Sequence, residues 1–93
     1  MKTIMCYGDS LTWGYNPTDG SRYPFEQRWP GALQNELGSG VRVIEEALNG
    51  RTVATDSWVL PNRDGRAMLG PLLESHAPLD LVIIMLGTND VGP

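Results

Sequence analysis

The 93 residues are 41% hydrophobic and 19% charged, with a formal net charge of −4. That length allows one small domain, and the apolar share speaks against a disordered chain. The seven basic residues are scattered, which argues against nucleic acid or an anionic membrane surface as a partner, since both need clustered Lys and Arg. The one cysteine, Cys6, cannot form an internal disulfide and reads as a small buried apolar residue. Met1 to Tyr7 is too short for a secretory h-region, and Gly8-Asp9 interrupts it. The longest apolar run, Leu81 to Leu86, is far below membrane-spanning length. A cytoplasmic protein is the expectation.

Residues 2–7 read as a first strand, because Ile4-Met5-Cys6-Tyr7 does not alternate with polar residues and so suits a parallel sheet covered on both faces. Residues 8–28, rich in Gly, Asp, Asn, Pro and Ser, read as loop. Trp13, Tyr15, Tyr23 and Phe25 stud that loop, either lining a pocket over Ser10 or pinning the loop down. Trp29, Leu33 and Leu37 recur at helical spacing, with Pro30 at the start and Gly38 as a stop, so a helix is expected over 29–37. Val41 to Ala47 is the second strand, and Leu48-Asn49-Gly50-Arg51-Thr52 is its turn. Residues 53–65 read as loop. Met68, Leu69, Leu72 and Leu73 mark a second helix over 65–76, weakened locally by Gly70-Pro71. Leu79 to Leu86 is the clearest strand, apolar on both faces, and Gly87-Thr88-Asn89-Asp90 follows it.

Right-handed crossovers make the three strands parallel. The turns at Gly8-Asp9-Ser10, Asn49-Gly50 and Gly87-Thr88-Asn89-Asp90 then share one edge of the sheet, where open α/β folds bind ligands. Acyl transfer through serine needs a nucleophile, a base and donors for the oxyanion. Ser10 is the candidate nucleophile. Gly50 lets a backbone N–H approach a ligand closely, and Asn89 offers an uncharged amide donor. Each has a plainer reading, as a turn serine, a turn glycine and an Asx-turn. Position 12 is Thr, so the Gly-x-Ser-x-Gly elbow is absent. Asp9, Leu11 and Trp13 flank Ser10 and are candidate substrate contacts. Asp9 and Asp90 read as residues that fix their loops and not as triad members. There is no Gly-x-Gly-x-x-Gly and no Walker motif.

Gly8-Asp9-Ser10-Leu11 resembles the signature of the GDSL, or SGNH, hydrolases, and Gly87-Thr88-Asn89-Asp90 resembles their third block. Asn49-Gly50 lies where that family keeps its second-block glycine. The longer runs Gly8 to Gly14 and Val82 to Asp90 look like the arylesterase and acyltransferase branch, similar to the mycobacterial acyltransferase. The resemblance implies a three-layer α/β/α sandwich, a flavodoxin-like parallel sheet of order 2-1-3-4-5. It implies a serine esterase of short-chain or aryl esters, with acyl transfer to alcohols, and no metal or organic cofactor. Ser10 would be the nucleophile, with the Ser10 N–H, the Gly50 N–H and the Asn89 side chain as the oxyanion hole. The branch forms homo-oligomers, and the aromatics of residues 13–29 would suit such a contact.

The family's Asp-x-x-His block is not among these 93 residues, whose single histidine is His76. His76 closes the second helix, which places it at the opposite edge of the sheet from Ser10, and it reads as a helix-end or surface residue. The third strand, apolar on both faces, would also form an open edge. Residues 1–93 are therefore expected to be the amino-terminal portion of a single domain, supplying strands 1–3. A complementary carboxyl-terminal chain would carry Asp-x-x-His, and without it the chain is expected to be inactive. The alternative is a non-catalytic α/β module that binds a ligand or partner.

Overall fold

The computed structural model describes residues 1–56 and 60–91. Of the loop expected over 53–65, residues 57–59 lie outside the described residues, as do residues 92 and 93. Strand β1 is Lys2–Gly8, helix α1 is Ser10–Trp13, helix α2 is Trp29–Leu37, strand β2 is Val41–Ala47, helix α3 is Gly65–His76 and strand β3 is Leu81–Met85. The three strands form one parallel sheet in the order β2-β1-β3. Lys2 pairs with Val41 and Gly8 with Ala47 on one side; Ile4 pairs with Leu81 and Gly8 with Met85 on the other. This is the α/β, flavodoxin-like arrangement expected for strands 1–3.

Side chains alternate across a strand, and partners in register share a face. Cys6 and Glu45 face α1 and α2, where Arg28 meets the Glu45 carboxylate at 3.1 Å. Tyr7 and Glu46 face α3, where the Tyr7 hydroxyl donates to the Gly65 carbonyl at 2.6 Å. Helices therefore cover both faces of the sheet. The buried hydrophobic core lies where β1 and β2 run side by side, at Met5, Cys6, Tyr7 and Val43. Burial, with Glu45 adding to it, pushes the Cys6 thiol up to about 11, so it packs as a neutral apolar group.

Helix α2 begins with Pro30 buried in its first turn. Its Gly31 presses against the Phe25 carbonyl so closely that a Cβ would sit 1.7 Å from that oxygen. At the other end, the Gln34 side chain donates to the Gly38 and Val41 carbonyls and accepts from the Val43 N–H, ties that fasten α2 to the edge strand β2. Helix α3 is capped by Asp64, whose carboxylate accepts from the Ala67 N–H at 3.1 Å. It runs unbroken through Pro71. The carbonyl that the missing proline N–H would have met belongs to Ala67, and both residues are exposed to solvent.

Two expectations need correcting. Residues 8–28 are not all loop. Asp9 caps the single turn of α1, its carboxylate accepting from the Leu11 N–H, and Gly14 ends that turn with a left-handed φ of 93°. A 3-10 turn follows at Phe25–Gln27. Strand β3 is shorter than Leu79 to Leu86. Asp80 brackets its start, its N–H donating to the Thr3 carbonyl and its carboxylate accepting from the Thr3 N–H. Gly87, at φ 131°, turns the chain away at its end. On this strand Leu81 is 51% and Ile84 is 55% exposed, so β3 is the uncovered edge of the sheet.

Candidate active site

The carboxyl end of the sheet carries the three turns. Ser10 is half-buried at the first position of α1, where no preceding turn of helix supplies a carbonyl for its N–H. Its carbonyl accepts from the Gly14 and Tyr15 N–H groups. Gly8, just before, admits no side chain: a Cβ there would lie 2.1 Å from Thr12 Oγ1 and 3.1 Å from the Met85 carbonyl. Thr12 is buried and its hydroxyl accepts from Trp29 Nε1 at 3.0 Å, which locks α1 onto α2.

Gly50 has a left-handed φ of 85°, a conformation that favours glycine. Arg63 stiffens that turn, its Nε donating to the Asn49 carbonyl at 2.9 Å. Asn89 sits in a 3-10 turn, Thr88–Asp90, and its side-chain Nδ2 donates to the Arg51 carbonyl at 3.1 Å. Both Asp90 carboxylate oxygens accept from the Val53 N–H, at 3.2 and 3.1 Å. Gly50 and Asn89 thus line one cleft of about 340 Å³, together with Thr52, Thr55, Asp56, Leu60 and Asp90. Ser10 is not one of the walls of that cleft.

Of the candidate substrate contacts, Leu11 is exposed, Trp13 is half-buried and Asp9 is 1% exposed. The Asp9 carboxylate serves the turn as a helix cap, as the loop-fixing reading has it. Trp13 and Phe25 are pinned. The Arg22 guanidinium stacks 4.6 Å from the Trp13 ring centre while its Nε donates to the Trp13 carbonyl, and Arg28 lies 5.5 Å from the Phe25 ring. Both arginines reach Glu45, which closes this loop onto the sheet. Tyr15 remains exposed. His76 Nε2 lies 2.8 Å from Glu46 Oε2 on the α3 face, a partner that its reading as a helix-end residue did not include. Among the described residues no group of three or more His, Cys, Asp or Glu could hold a metal ion.

One residue escaped sequence reasoning. Arg51, read only as part of a turn, is 2% exposed, and its guanidinium lies 4.2 Å from the centre of the Tyr7 ring. Its Nη1 donates to the Gly8 carbonyl at 3.2 Å and to the Glu46 carbonyl at 2.9 Å. Burial holds its pKa below the ordinary arginine value, with Tyr7 and Glu46 opposing that shift. Arginine is mostly exposed, so sequence alone carries no signal for this burial.

Comparison with known proteins decides the family. The pattern of the GDSL-like lipase/acylhydrolase family matches residues 6–93. The chain belongs to that family. This GDSL-like chain is similar to a solved carbohydrate acetylesterase family member from Sinorhizobium meliloti, at 54% identity and a TM-score of 0.93, over 97% of this chain and 43% of that one. It is similar also to the aryl esterase of M. smegmatis, at 49% identity and a TM-score of 0.92, over 97% of this chain and 44% of that one. No curated protein matches it. The GDSL-like chain thus spans less than half the length of these solved relatives. No helix among its described residues is long and apolar enough to cross a membrane.

Proposed function

We propose that this chain is the nucleophile-bearing part of a serine esterase that acts on short-chain or aryl esters and transfers the acyl group to water or an alcohol. Ser10 Oγ attacks the ester carbonyl carbon, and the tetrahedral oxyanion is held by the Ser10 N–H, the Gly50 N–H and the Asn89 amide. Collapse expels the alcohol, which takes a proton, and leaves an acyl-serine. Water or a second alcohol then attacks that ester and releases Ser10. The base that takes the Ser10 proton would be the histidine of an Asp-x-x-His segment outside these residues, borne by the complementary part of the domain. His76 is engaged by Glu46 and is not assigned that role.

The observation that carries this reading is the bond from Asn89 Nδ2 to the Arg51 carbonyl, which ties the third turn to the Gly50 turn. That arrangement brings an amide donor and a left-handed glycine to one cleft, on a sheet whose central strand ends one residue before Asp9-Ser10. The relatives bearing esterase names lend the reaction class its support. The test is labelling with a fluorophosphonate, with and without the complementary segment. Ser10 is expected to be modified rapidly only when that segment is present, and Ser10→Ala should abolish turnover of an aryl acetate. Full-rate ester hydrolysis by the 93 residues alone would overturn the assignment of the base to another segment. Unchanged turnover in Ser10→Ala would overturn the nucleophile.

A further inference from the structure

Arg51 touches all three turns of the candidate site, each through a different group. Its side chain reaches the end of β1, because Nη1 donates to the carbonyl of Gly8, the residue before Asp9-Ser10. The same nitrogen holds β2 through the Glu46 carbonyl. Its backbone N–H donates to the Leu48 carbonyl at 3.1 Å and so closes the turn that contains Gly50. Its carbonyl accepts the Asn89 amide from the turn after β3. The Leu48 N–H also donates to the Gly8 carbonyl, at 3.2 Å, which doubles the link between the first two turns.

Burying a guanidinium is costly, and an apolar side chain of the same length would fill the space without that cost. Arg51 has no carboxylate within ion-pair distance among the described residues; its partners are two carbonyls and the face of Tyr7. The Tyr7 ring is itself fixed, since its hydroxyl donates to the Gly65 carbonyl at the start of α3. A planar guanidinium whose Nη1 bridges two carbonyls near the strand ends, backed by an aromatic ring, holds the residue 51 backbone in one place. That backbone is what the Asn89 amide leans on.

We propose that Arg51 is a positioning residue for ester cleavage, setting the Asn89 amide and the Gly50 turn at the height where the oxyanion forms. The proposal rests on the reading of Ser10, Gly50 and Asn89 as an ester-cleaving site. A shift of about 1 Å in such a donor costs about 10² in rate, and loss of one donor about 10²–10³. Arg51→Met should therefore lower kcat by roughly 10–10² while KM moves by no more than about threefold. Arg51→Lys keeps the charge over Tyr7 and a donor for one carbonyl, and should recover part of the loss.

The test is a double-mutant cycle with Asn89→Ala on aryl acetate turnover, in the protein with its complementary segment present and Ser10→Ala as control. If Arg51 acts through Asn89, Arg51→Met should cost only a few-fold more once Asn89 is Ala, whereas a loss of general stability would multiply in full. Should Arg51→Met not fold, the same cycle is run with Arg51→Lys. Wild-type kcat in the soluble Arg51 variant, or a full multiplicative loss in the Asn89→Ala background, overturns the positioning role alone. Equal turnover in Ser10→Ala and the unmodified protein overturns the site itself, and the positioning role with it.

Discussion

Gly8→Ala is the sharpest single perturbation of the candidate nucleophile, because it adds one methyl group against the helix that carries Ser10. The new Cβ would lie 2.6 Å from Thr12 Cβ and 2.1 Å from Thr12 Oγ1. Ordinary carbon–carbon contact is about 3.5–4.0 Å, so α1 has to withdraw by about 1 Å. Thr12 cannot swing aside: it is buried, and its hydroxyl holds Trp29 Nε1. On the far side the Met85 carbonyl stands at 3.1 Å, which closes the other escape. Overpacking of this kind costs about 1–3 kcal/mol. Since Ser10 rides on the same single turn as Thr12, a 1 Å displacement should slow its reaction by about 10². The stability change is read from the urea midpoint at constant slope, and the rate from fluorophosphonate labelling of Ser10 with the complementary segment present. Gly40→Ala is the matched control, the same methyl group at an exposed turn position with nothing beyond its chain neighbours within 4 Å, and it should change stability by no more than about 0.5 kcal/mol. If Gly8→Ala unfolds at the wild-type midpoint and labels at the wild-type rate, the argument from close packing at this turn is wrong.

Two further outcomes follow from the geometry. His76→Ala removes the partner of Glu46 on the α3 face, so it should lower stability by at most about 1 kcal/mol and leave the labelling rate of Ser10 unchanged; a large drop in labelling would make His76 part of the chemistry. The Cys6 thiol, raised to about 11 from an ordinary 9.0, should resist a thiol reagent at pH 8 in the folded protein and react promptly in denaturant. Because the folded value lies above the unfolded one, its contribution to stability is fully present below pH 9.0 and is lost as the pH rises through about 11. A urea-midpoint series in which Cys6→Ala and wild type fall in parallel over that window would show that the thiol contributes nothing there.

Much of the scaffold is legible in the order of residues. The spacing of Trp29, Leu33 and Leu37 between Pro30 and Gly38 is a local signal, and α2 runs over Trp29–Leu37 as that spacing predicts. Helix α3 spans Gly65–His76 as its apolar stripe predicts, and β2 spans Val41–Ala47 as expected although its alternation is less regular. Parallel pairing follows from the handedness of crossovers, a rule that needs no coordinates, and the order β2-β1-β3 is the one the family resemblance implies. The motif turns at Ser10, Gly50 and Asn89 are legible for the same reason: glycine, aspartate and asparagine after an apolar run mark where a strand ends.

What the tertiary structure alone decided concerns polar groups drawn inside. Periodicity assigns apolar side chains to faces, but it cannot say which polar group is buried when separate turns converge. Arg51 looks like any turn arginine until β1 and β2 end beside it with two carbonyls and Tyr7 lies beneath. Asp9 reads from sequence both as a candidate substrate contact and as a loop-fixing residue, and the capping of α1 takes its carboxylate inward for the second use. Glu46 and His76 are 30 residues apart, and only the packing of α3 on β2 makes them partners. The placement of Ser10 relative to the cleft at Gly50 and Asn89 belongs to the same class. The sequence by itself determined that three parallel strands are present and where their three turns fall. Which groups those turns bury, and which they leave facing the cleft, was decided only where distant segments meet, because the cost of burying a polar group depends on partners no local pattern contains.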